Sequence, residues 1–252
     1  MRRFVYGWLT LCAIACSSAT VRADDAKAII EKGIAALGGA EKLGKNKALT
    51  WKAKGKVEVM GNTIEFTGDW FVQPPKQMKN QLEIDFNGMK TPIVSVINGD
   101  KGWRSFAGNT MELEGDDLAE AKEELYAGRV STLLALTTEP GFKLATLGES
   151  KVGDKTAVGV KVSHEGHRDI SLFFDKDSGL LIKNSRRIKD IMAGGQEMDQ
   201  DTFLSDYQDV DGVKRYKKMA IKRDGKDFIE LQISEVKALE SLPDSTFNKP
   251  GD

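Results

Sequence analysis

The fold is decided by a stretch near the amino-terminal end, where residues 49–72 read LTWKAKGKVEVMGNTIEFTGDWFV. In residues 49–60, apolar side chains alternate with lysine and glutamate, which is the two-residue period of a strand with one buried and one solvated face. Gly61-Asn62 is a turn signal, and residues 64–72 repeat the alternation. The stretch therefore predicts an antiparallel hairpin, with Trp51 and Trp70 on its apolar faces.

The same period continues through most of the chain. Strands are predicted over residues 78–86, 93–97, 103–106, 157–164, 170–175, 180–191, 198–207, 213–223 and 228–236. Short turns such as Asp211-Gly212 separate them, which favours antiparallel neighbours. Residues 25–43 and 116–138 have helical periodicity instead. The predicted fold class is mainly β (α+β): a curled antiparallel sheet of about ten strands forming an incomplete barrel, capped by the N-terminal helix and the internal helical segment.

Composition excludes several classes of protein. The chain has 252 residues, 40% of them hydrophobic, with 25 glycines and 6 prolines, which is typical of a globular protein. It carries 37 Lys+Arg against 38 Asp+Glu, a net charge of −1. Such a balance gives no general attraction to nucleic acid or to anionic membranes, so nucleic acid is not an expected partner. No linker or internal repeat divides the chain, and we expect a single domain over residues 24–252.

The amino terminus predicts export. Residues 1–23 have the pattern of a signal peptide: Arg2-Arg3, an apolar run over residues 4–15, and Val21-Arg22-Ala23 at the cleavage position. We therefore expect an exported protein. An uncleaved anchor is disfavoured because the apolar run is short, and a lipid anchor at Cys16 is a lesser alternative.

Cleavage would remove both cysteines, Cys12 and Cys16. The mature chain would then have no disulfide, no thiolate nucleophile and no cysteine-bound metal. No later apolar run is long enough for a membrane-spanning helix, so we expect a protein that is not transmembrane.

Motifs for catalysis or metal binding fail on their context. Residues 39–46 resemble a phosphate-binding loop, but a helix precedes them, a strand follows, and Asn46 stands where a hydroxyl is needed. His164 and His167 lack the i, i+4 spacing of a helical metal site, so we predict a solvated turn there. Residues 209–212 resemble a calcium loop whose first and twelfth positions carry the wrong side chains. We expect no catalytic residue, no metal and no cofactor, and hence a protein that is not an enzyme.

Several elements follow one another in a familiar order. These are an exported N-terminal amphipathic helix, an early strand at Trp51, NGDKGW at residues 98–103, FFDKDSGLL at 173–181, DYQDVDGV at 206–213 and LPDSTFNKP at 242–250. In this order the chain resembles, nearly end to end, the LolA/LolB-like superfamily of periplasmic lipoprotein carriers and lipid-binding proteins. The resemblance implies an incomplete antiparallel barrel capped by helices, with a hydrophobic cavity that takes acyl chains.

The leading functional hypothesis is an exported, non-enzymatic carrier or sensor that binds an acyl lipid or lipoprotein, with an envelope protein as a further partner. The predicted apolar cavity wall consists of Trp51, Phe66, Trp70, Ile84 and Trp103. The predicted lid consists of Leu125, Leu133 and Leu134. Burying a sixteen-carbon chain is worth about 12 kcal/mol before ordering costs, so no catalytic group is needed for tight binding.

Two alternatives stay open. The same fold with a filled core would be a structural or protein-interaction domain, which would present a surface patch or a sheet edge to its partner. A periplasmic hydrolase would use the clustered acids Asp199, Asp201 and Asp206, and it would need them together in one cleft.

Overall fold

The computed structural model describes residues 23–86, 88–191 and 194–251. In this part of the chain, thirteen strands form one antiparallel sheet. The strands are β1 (Ala48–Val59), β2 (Asn62–Gln73), β3 (Gln77–Phe86), β4 (Met89–Asn98), β5 (Lys101–Phe106), β6 (Asn109–Glu112), β7 (Lys143–Val152), β8 (Lys155–Ser163), β9 (Ile170–Asp175), β10 (Leu181–Asp190), β11 (Gln196–Val210), β12 (Val213–Arg223) and β13 (Lys226–Leu239). Four helices accompany them: α1 (Ala23–Leu37), α2 (Ala40–Lys45), α3 (Gly115–Ser131) and α4 (Ala135–Thr138). The predicted signal peptide and Cys16 lie outside the described residues, apart from Ala23.

The sheet consists of two meanders joined side by side. β1 to β6 follow one another outward in one direction, and β13 to β7 follow one another in the other. The joint is the pair β1–β13, in which Ala53 lies opposite Ile233 and Gly55 opposite Leu231. Because β6 and β7 end the order without a partner on their outer sides, the sheet is not closed into a barrel. The predicted fold class is confirmed.

The structure has more strands than the sequence predicted, and its helices are shorter. β6 and β7 are the additional strands, and both are edges. The N-terminal helix is two helices because the chain turns at Gly38 and Gly39, whose N–H groups donate to Ala35 O (3.1 Å) and Ile34 O (3.0 Å). That pairing is the Schellman end of a helix, with glycine in the left-handed position. The predicted helix over residues 116–138 is likewise interrupted, since Leu133 adopts φ 69° between α3 and α4.

The main core lies between the helices and one half of the sheet. Its buried residues come from α1, α2, the C-terminal part of α3, α4 and strands β8 to β12. Leu133 and Phe174 are fully buried in it, and their side-chain atoms lie 2.9 Å from where a Cβ on Gly33 would stand. This close packing holds α1 against Leu133 and against Phe174 of β9. No helix in the described residues is long and apolar enough to span a membrane.

The C-terminal segment packs on the opposite face of the sheet. It includes a 3₁₀ turn at Asp244–Phe247, which contacts β3 and β4. Asn98 Nδ2 donates to Phe247 O (3.2 Å), and Leu242 N donates to Gln73 Oε1 (2.7 Å). The Phe247 side chain, which belongs to this segment, is fully buried. The segment therefore covers part of the sheet surface that the helices leave free.

A buried carboxylate at the β9–β10 turn makes the free energy of unfolding depend on pH in the acid range. Asp175 accepts hydrogen bonds from the N–H groups of Asp177 (3.0 Å) and Ser178 (2.9 Å) and pairs with Lys155 Nζ at 2.7 Å. The bond to Lys155 and then the Ser178 N–H lower the pKa of Asp175 to about 2. Since the folded-state pKa lies below the unfolded one, this stabilisation is present above about pH 4 and disappears as the pH falls toward the folded-state pKa.

We expect Asp175→Asn to lower the free energy of unfolding at pH 7 by about 1–2 kcal/mol, because the amide keeps the turn but loses the ion pair. Denaturant titrations from pH 7 to pH 2 check this, and the gap between variant and wild type should close at the acid end. Asp177→Asn, in the same turn and exposed, is the control. If the difference in unfolding free energy between Asp175→Asn and the wild type did not change with pH, the Asp175 carboxylate would not be the stabilising group.

Candidate functional site

Strand register assigns each side chain to one face of the sheet. Leu204 and Met219 belong to the helix-packed core and lie opposite each other on β11 and β12. Following the paired residues from strand to strand across the sheet, the same row continues through Leu231, Gly55, Phe66 and Ile84. Because side chains alternate along a strand, this row and every second residue from it lie on the helix face. The residues between them lie on the outer face. Ile97, which packs against Leu125 of α3, falls on the helix face by the same register.

In the described part of the chain, one area of the helix face belongs to neither of the two helix-packed clusters. The apolar patch, as we call it, consists of Trp51, Val57, Ile64, Trp70, Leu82, Ile84, Ile93 and Ile229. Each of these side chains is only partly buried, and none belongs to the two clusters that the helices complete. Trp51 and Trp70 stack with ring centroids 6.1 Å apart and an interplanar angle of 7°. The patch is therefore an apolar surface on β1 to β4 and β13 that water still reaches.

The structure brings four of the five predicted wall residues to one face. Trp51, Trp70 and Ile84 are in the apolar patch, and Phe66 lies in the same face, 7% exposed. Trp103 is on the outer face, because it pairs with Val96 rather than with Ile97. The register of the β4–β5 hairpin thus separates Trp103 from the other four.

The predicted lid residues lie in two places. Leu125, on α3, forms a small cluster with Ile97 and Leu113 at the β4–β5 end of the sheet. Leu133 is fully buried in the main core, and Leu134 packs against that core between α3 and α4. Leu125 alone of the three is on a helix that reaches the β1–β6 half of the sheet.

Helix α3 crosses the helix face and is held at both sides by charges. On one side, Asp117 faces Arg104 of β5 (3.8 Å), and Lys122 pairs with Asp100 (3.0 Å). On the other side, Lys189 of β10 bonds to Asp116 at 2.9 Å. The N-terminal half of the helix is thus attached by side chains on two separate strands. Its C-terminal half, from Leu125 to Val130, is instead buried in apolar surroundings.

The β10 side of α3 includes buried cations. The Arg186 side chain is 5% exposed and pairs with Glu124 of α3. Arg223 donates to Asp190 (2.8 Å) and Gln200 (3.2 Å), and burial lowers its pKa although Asp190 opposes that shift. A buried guanidinium without an acid would be costly, so these pairs fix the geometry between α3, β10 and β12.

The two histidines attach the β8–β9 turn to α3. His167 stacks on Tyr126 with a centroid distance of 3.7 Å, and its Nδ1 is 2.7 Å from Glu123 Oε1. Arg168 in the same turn donates to Glu120 at 2.9 Å. Burial first, and Glu123 second, raise the pKa of Tyr126 to about 12. In the described residues, no group of three or more histidine and acidic side chains could hold a metal ion.

The outer face carries an open groove of about 830 Å³ that runs across β11, β12, β13, β1, β2, β3 and β4. Two lateral rows of outer-face side chains form its sides, from Phe203 to Lys90 and from Ser205 to Glu83. Lys56 pairs with Glu230 (3.2 Å) and Lys90 with Glu83 (2.6 Å) along these sides. The groove is charged and lies opposite the helices. It therefore differs from the predicted apolar cavity, and of the predicted wall residues it touches Phe66.

Of the three acids considered for a hydrolase, two pair with different bases. Asp201 pairs with Lys183 at 2.8 Å, whereas Asp199 faces Arg187 at 3.5 Å. Asp206 is exposed in β11. The sequence reasoning missed the pair between the buried Arg186 and Glu124. This pairing depends on where α3 crosses the sheet, and no local spacing in the sequence indicates it.

Comparison with known proteins gives structural likenesses only. No protein-family model matches the chain, and no curated protein matches it significantly in sequence. A LolA superfamily protein from Nitrosomonas europaea is similar over 89% of this chain and 97% of its own, with a TM-score of 0.56 and 11% identity.

Two further solved structures are similar. A domain named as an outer membrane lipoprotein-sorting protein, from Vibrio parahaemolyticus, has a TM-score of 0.55 at 11% identity over 90% of this chain and 97% of its own. A DUF1329 family protein from Desulfovibrio piger has a TM-score of 0.53 at 13% identity over 88% and 97%. Together with the open sheet and its helix-packed face, these likenesses show that the chain has a LolA-like fold.

Proposed function

We propose that the protein is a non-enzymatic carrier or sensor that holds the acyl chain of a lipid or lipoprotein against the apolar patch. The observation that carries this proposal is the partly exposed apolar surface around Trp51 and Trp70, on the face where the fold places its helices. Each buried methylene is worth about 0.8 kcal/mol, so a long chain lying on this surface binds without any charged anchor. The lipoprotein-sorting name of the Vibrio domain supports the same role.

Helix α3 is the element that would admit the chain. Its N-terminal half is joined to β5 and β10 by ion pairs at residues with substantial exposure, including Asp116–Lys189 and Asp117–Arg104. Exposed ion pairs contribute little stability, whereas the C-terminal half is anchored in the core. Opening would therefore begin at Gly115 and end before Glu120, whose pair with Arg168 is largely buried.

Export to the periplasm is part of the proposal. Residues 1–23 would be removed, so that the mature protein begins at Asp24 before α1. Intact mass spectrometry of the protein purified from the bacterial envelope would then give a chain starting at Asp24. A mass that includes residues 1–23 would contradict cleavage, and an added diacylglycerol on Cys16 would instead identify a lipid-anchored protein.

The carrier role is tested by binding of a fluorescent fatty acid, cis-parinaric acid, to the purified protein. We expect Trp70→Ala to weaken binding about tenfold, since it removes one of the two stacked indole rings, a buried side chain of this kind being worth about 1.5–3 kcal/mol. Trp103→Ala is the matched control, because Trp103 lies on the outer face, and it should leave the affinity unchanged. Thermal unfolding of both variants confirms that each is folded. Equal losses in both variants, or no binding by the wild type, would refute the proposal.

A second candidate is a protein-interaction domain with an occupied interior. The tight packing of Gly33, Leu133 and Phe174 favours it, because side chains fill the contact between α1 and β9. The charged outer groove would then be the surface for an envelope protein. Absence of fatty-acid binding would select this candidate.

A further inference from the structure

Three hairpin tips of the β1–β6 meander carry large apolar side chains in solvent. Met60, in the β1–β2 turn, is 94% exposed, Met89 at the start of β4 is 69% exposed, and Phe106 at the end of β5 is 54% exposed. We call these three residues the apolar rim. Turns normally carry Gly, Asn, Asp or Ser, which form the turn and bind water.

The three side chains are at one end of the sheet. Consecutive strands β1 to β6 are antiparallel, so the β1–β2, β3–β4 and β5–β6 turns share an end. The β2–β3 and β4–β5 turns share the other end, where Lys76 and Asp100 stand instead. Phe106 lies opposite Ile93, four residues along β4 from Met89, and Met60 is five residues beyond Gly55, whose row passes through Ile84 to Thr91. With about 4.8 Å between strands and about 3.3 Å between residues along a strand, successive rim residues are about 15 Å apart and follow an edge that slants across the strands.

The backbone at Met60 argues that this side chain is not there to make the turn. Met60 has φ 51° and Gly61 φ 79°, the left-handed conformation of a two-residue hairpin turn. Asparagine or aspartate adopts this conformation at lower cost than methionine does. Met60 therefore occupies a position that a polar residue would suit better, with nearly its whole surface in water.

The spacing and charges of the apolar rim fit a lipid bilayer. A protein partner needs a contiguous complementary surface, whereas a fluid bilayer accepts separate side chains that each insert at one point. The lysines beside the rim are neutralised, Lys90 by Glu83 (2.6 Å) and Lys56 by Glu230 (3.2 Å). Because these two lysines are paired with acids, insertion at their positions depends on apolar contact.

We propose that the apolar rim docks the protein on a phospholipid bilayer by inserting Met60, Met89 and Phe106 among the lipids. The proposal goes beyond acyl-chain carriage and does not depend on it. Val57 and Ile64 of the apolar patch are paired next to the β1–β2 turn, so docking would direct this end of the patch at the bilayer.

Flotation with dioleoylphosphatidylcholine vesicles tests the proposal, using the exported protein whose amino terminus has been established by mass. We expect the wild type to float with the vesicles, each single variant Met60→Asn, Met89→Gln and Phe106→Thr to partition about fivefold to tenfold less, and the triple variant about a hundredfold less. Binding should change less than about twofold in 0.5 M NaCl, because no ion pair with the headgroups is involved.

Leu147→Gln is the control, since Leu147 is 46% exposed on β7, away from the rim, and its loss should leave flotation unchanged. Met60→Asn should melt at the same temperature as the wild type or higher, which shows that weaker flotation is not unfolding. Equal flotation of the wild type and the triple variant, or none by the wild type, overturns the proposal. Loss of parinaric acid binding with flotation intact counts against the carrier role alone.

Discussion

Alanine at position 38 is expected to destabilise the protein by about 3 kcal/mol, although it adds a single methyl group. Gly38 has φ 121°, a conformation that side chains with a Cβ rarely adopt. An added Cβ would also stand 2.4 Å from the carbonyl oxygen of Gly212 in the β11–β12 turn. The dihedral strain and the contact with Gly212 both involve backbone atoms, so neither can be relieved by rotating a side chain. α1 and α2 would have to separate from the end of the sheet.

Denaturant unfolding measures this effect, and Gly39→Ala is its matched control. Gly39 also has a positive φ, 93°, but its Cβ would meet nothing within 4 Å. We expect a loss of about 1 kcal/mol for this variant, from backbone strain alone. The difference between the two variants therefore reports the contact with Gly212. Equal losses would show that this contact does not constrain the α1–α2 corner.

Phe247→Ala is expected to cost about 3–5 kcal/mol, the range for removing a fully buried phenylalanine. The side chain has no exposed surface, and its segment is joined to the sheet by the bond from Asn98 to Phe247 O (3.2 Å). The loss would open the outer face over β3 and β4. Residues close to the C-terminus are often dispensable, so a large effect here would identify this segment as part of the fold.

Two further variants distinguish the loss of buried surface at Phe247 from a general effect of changing this segment. Phe247→Leu keeps most of the buried surface and should cost about 1–2 kcal/mol. Lys249→Ala changes an exposed side chain and should stay within about 0.5 kcal/mol of the wild type. If Phe247→Ala were as mild as Lys249→Ala, the outer-face packing of the C-terminal segment would be wrong.

The sequence pattern predicted the bounds of two strands correctly. Residues 213–223 and 170–175 were predicted as strands with the bounds that the structure has. β7 was missed because both its faces are mostly exposed, so its residues carry no apolar alternation. β6 was missed because it is a four-residue edge strand.

The face of Trp103 could not be predicted from its own strand. In β4, Ile93, Val94, Val96 and Ile97 are all apolar, so the period of two does not reveal which residues face the helices. Only the register of the β4–β5 turn, with Asn98 opposite Lys101, puts Trp103 beside Val96. In the hairpin of β1 and β2, clean alternation made the shared face of Trp51 and Trp70 predictable.

The lid could not be predicted for a different reason. Helix α3 carries charges on most sides, and its position is set by partners in distant strands, such as Lys189 and Arg186. Leu133 and Leu134 were predicted to continue this helix, but the left-handed conformation of Leu133 ends it. Sequence periodicity detects which residues are apolar and not where a charged helix will lie.

The pairing of β1 with β13 has a consequence for how the molecule is completed. All other strand pairs join neighbours along the chain, so each meander can assemble locally as it emerges. The backbone hydrogen bonds on the β13 side of β1 cannot form until β13, the last strand in the sequence, is present. If the polypeptide crosses a membrane amino terminus first, the edge of β1 that pairs with β13 has no partner during translocation. The two halves of the sheet can then pair only after β13 has crossed.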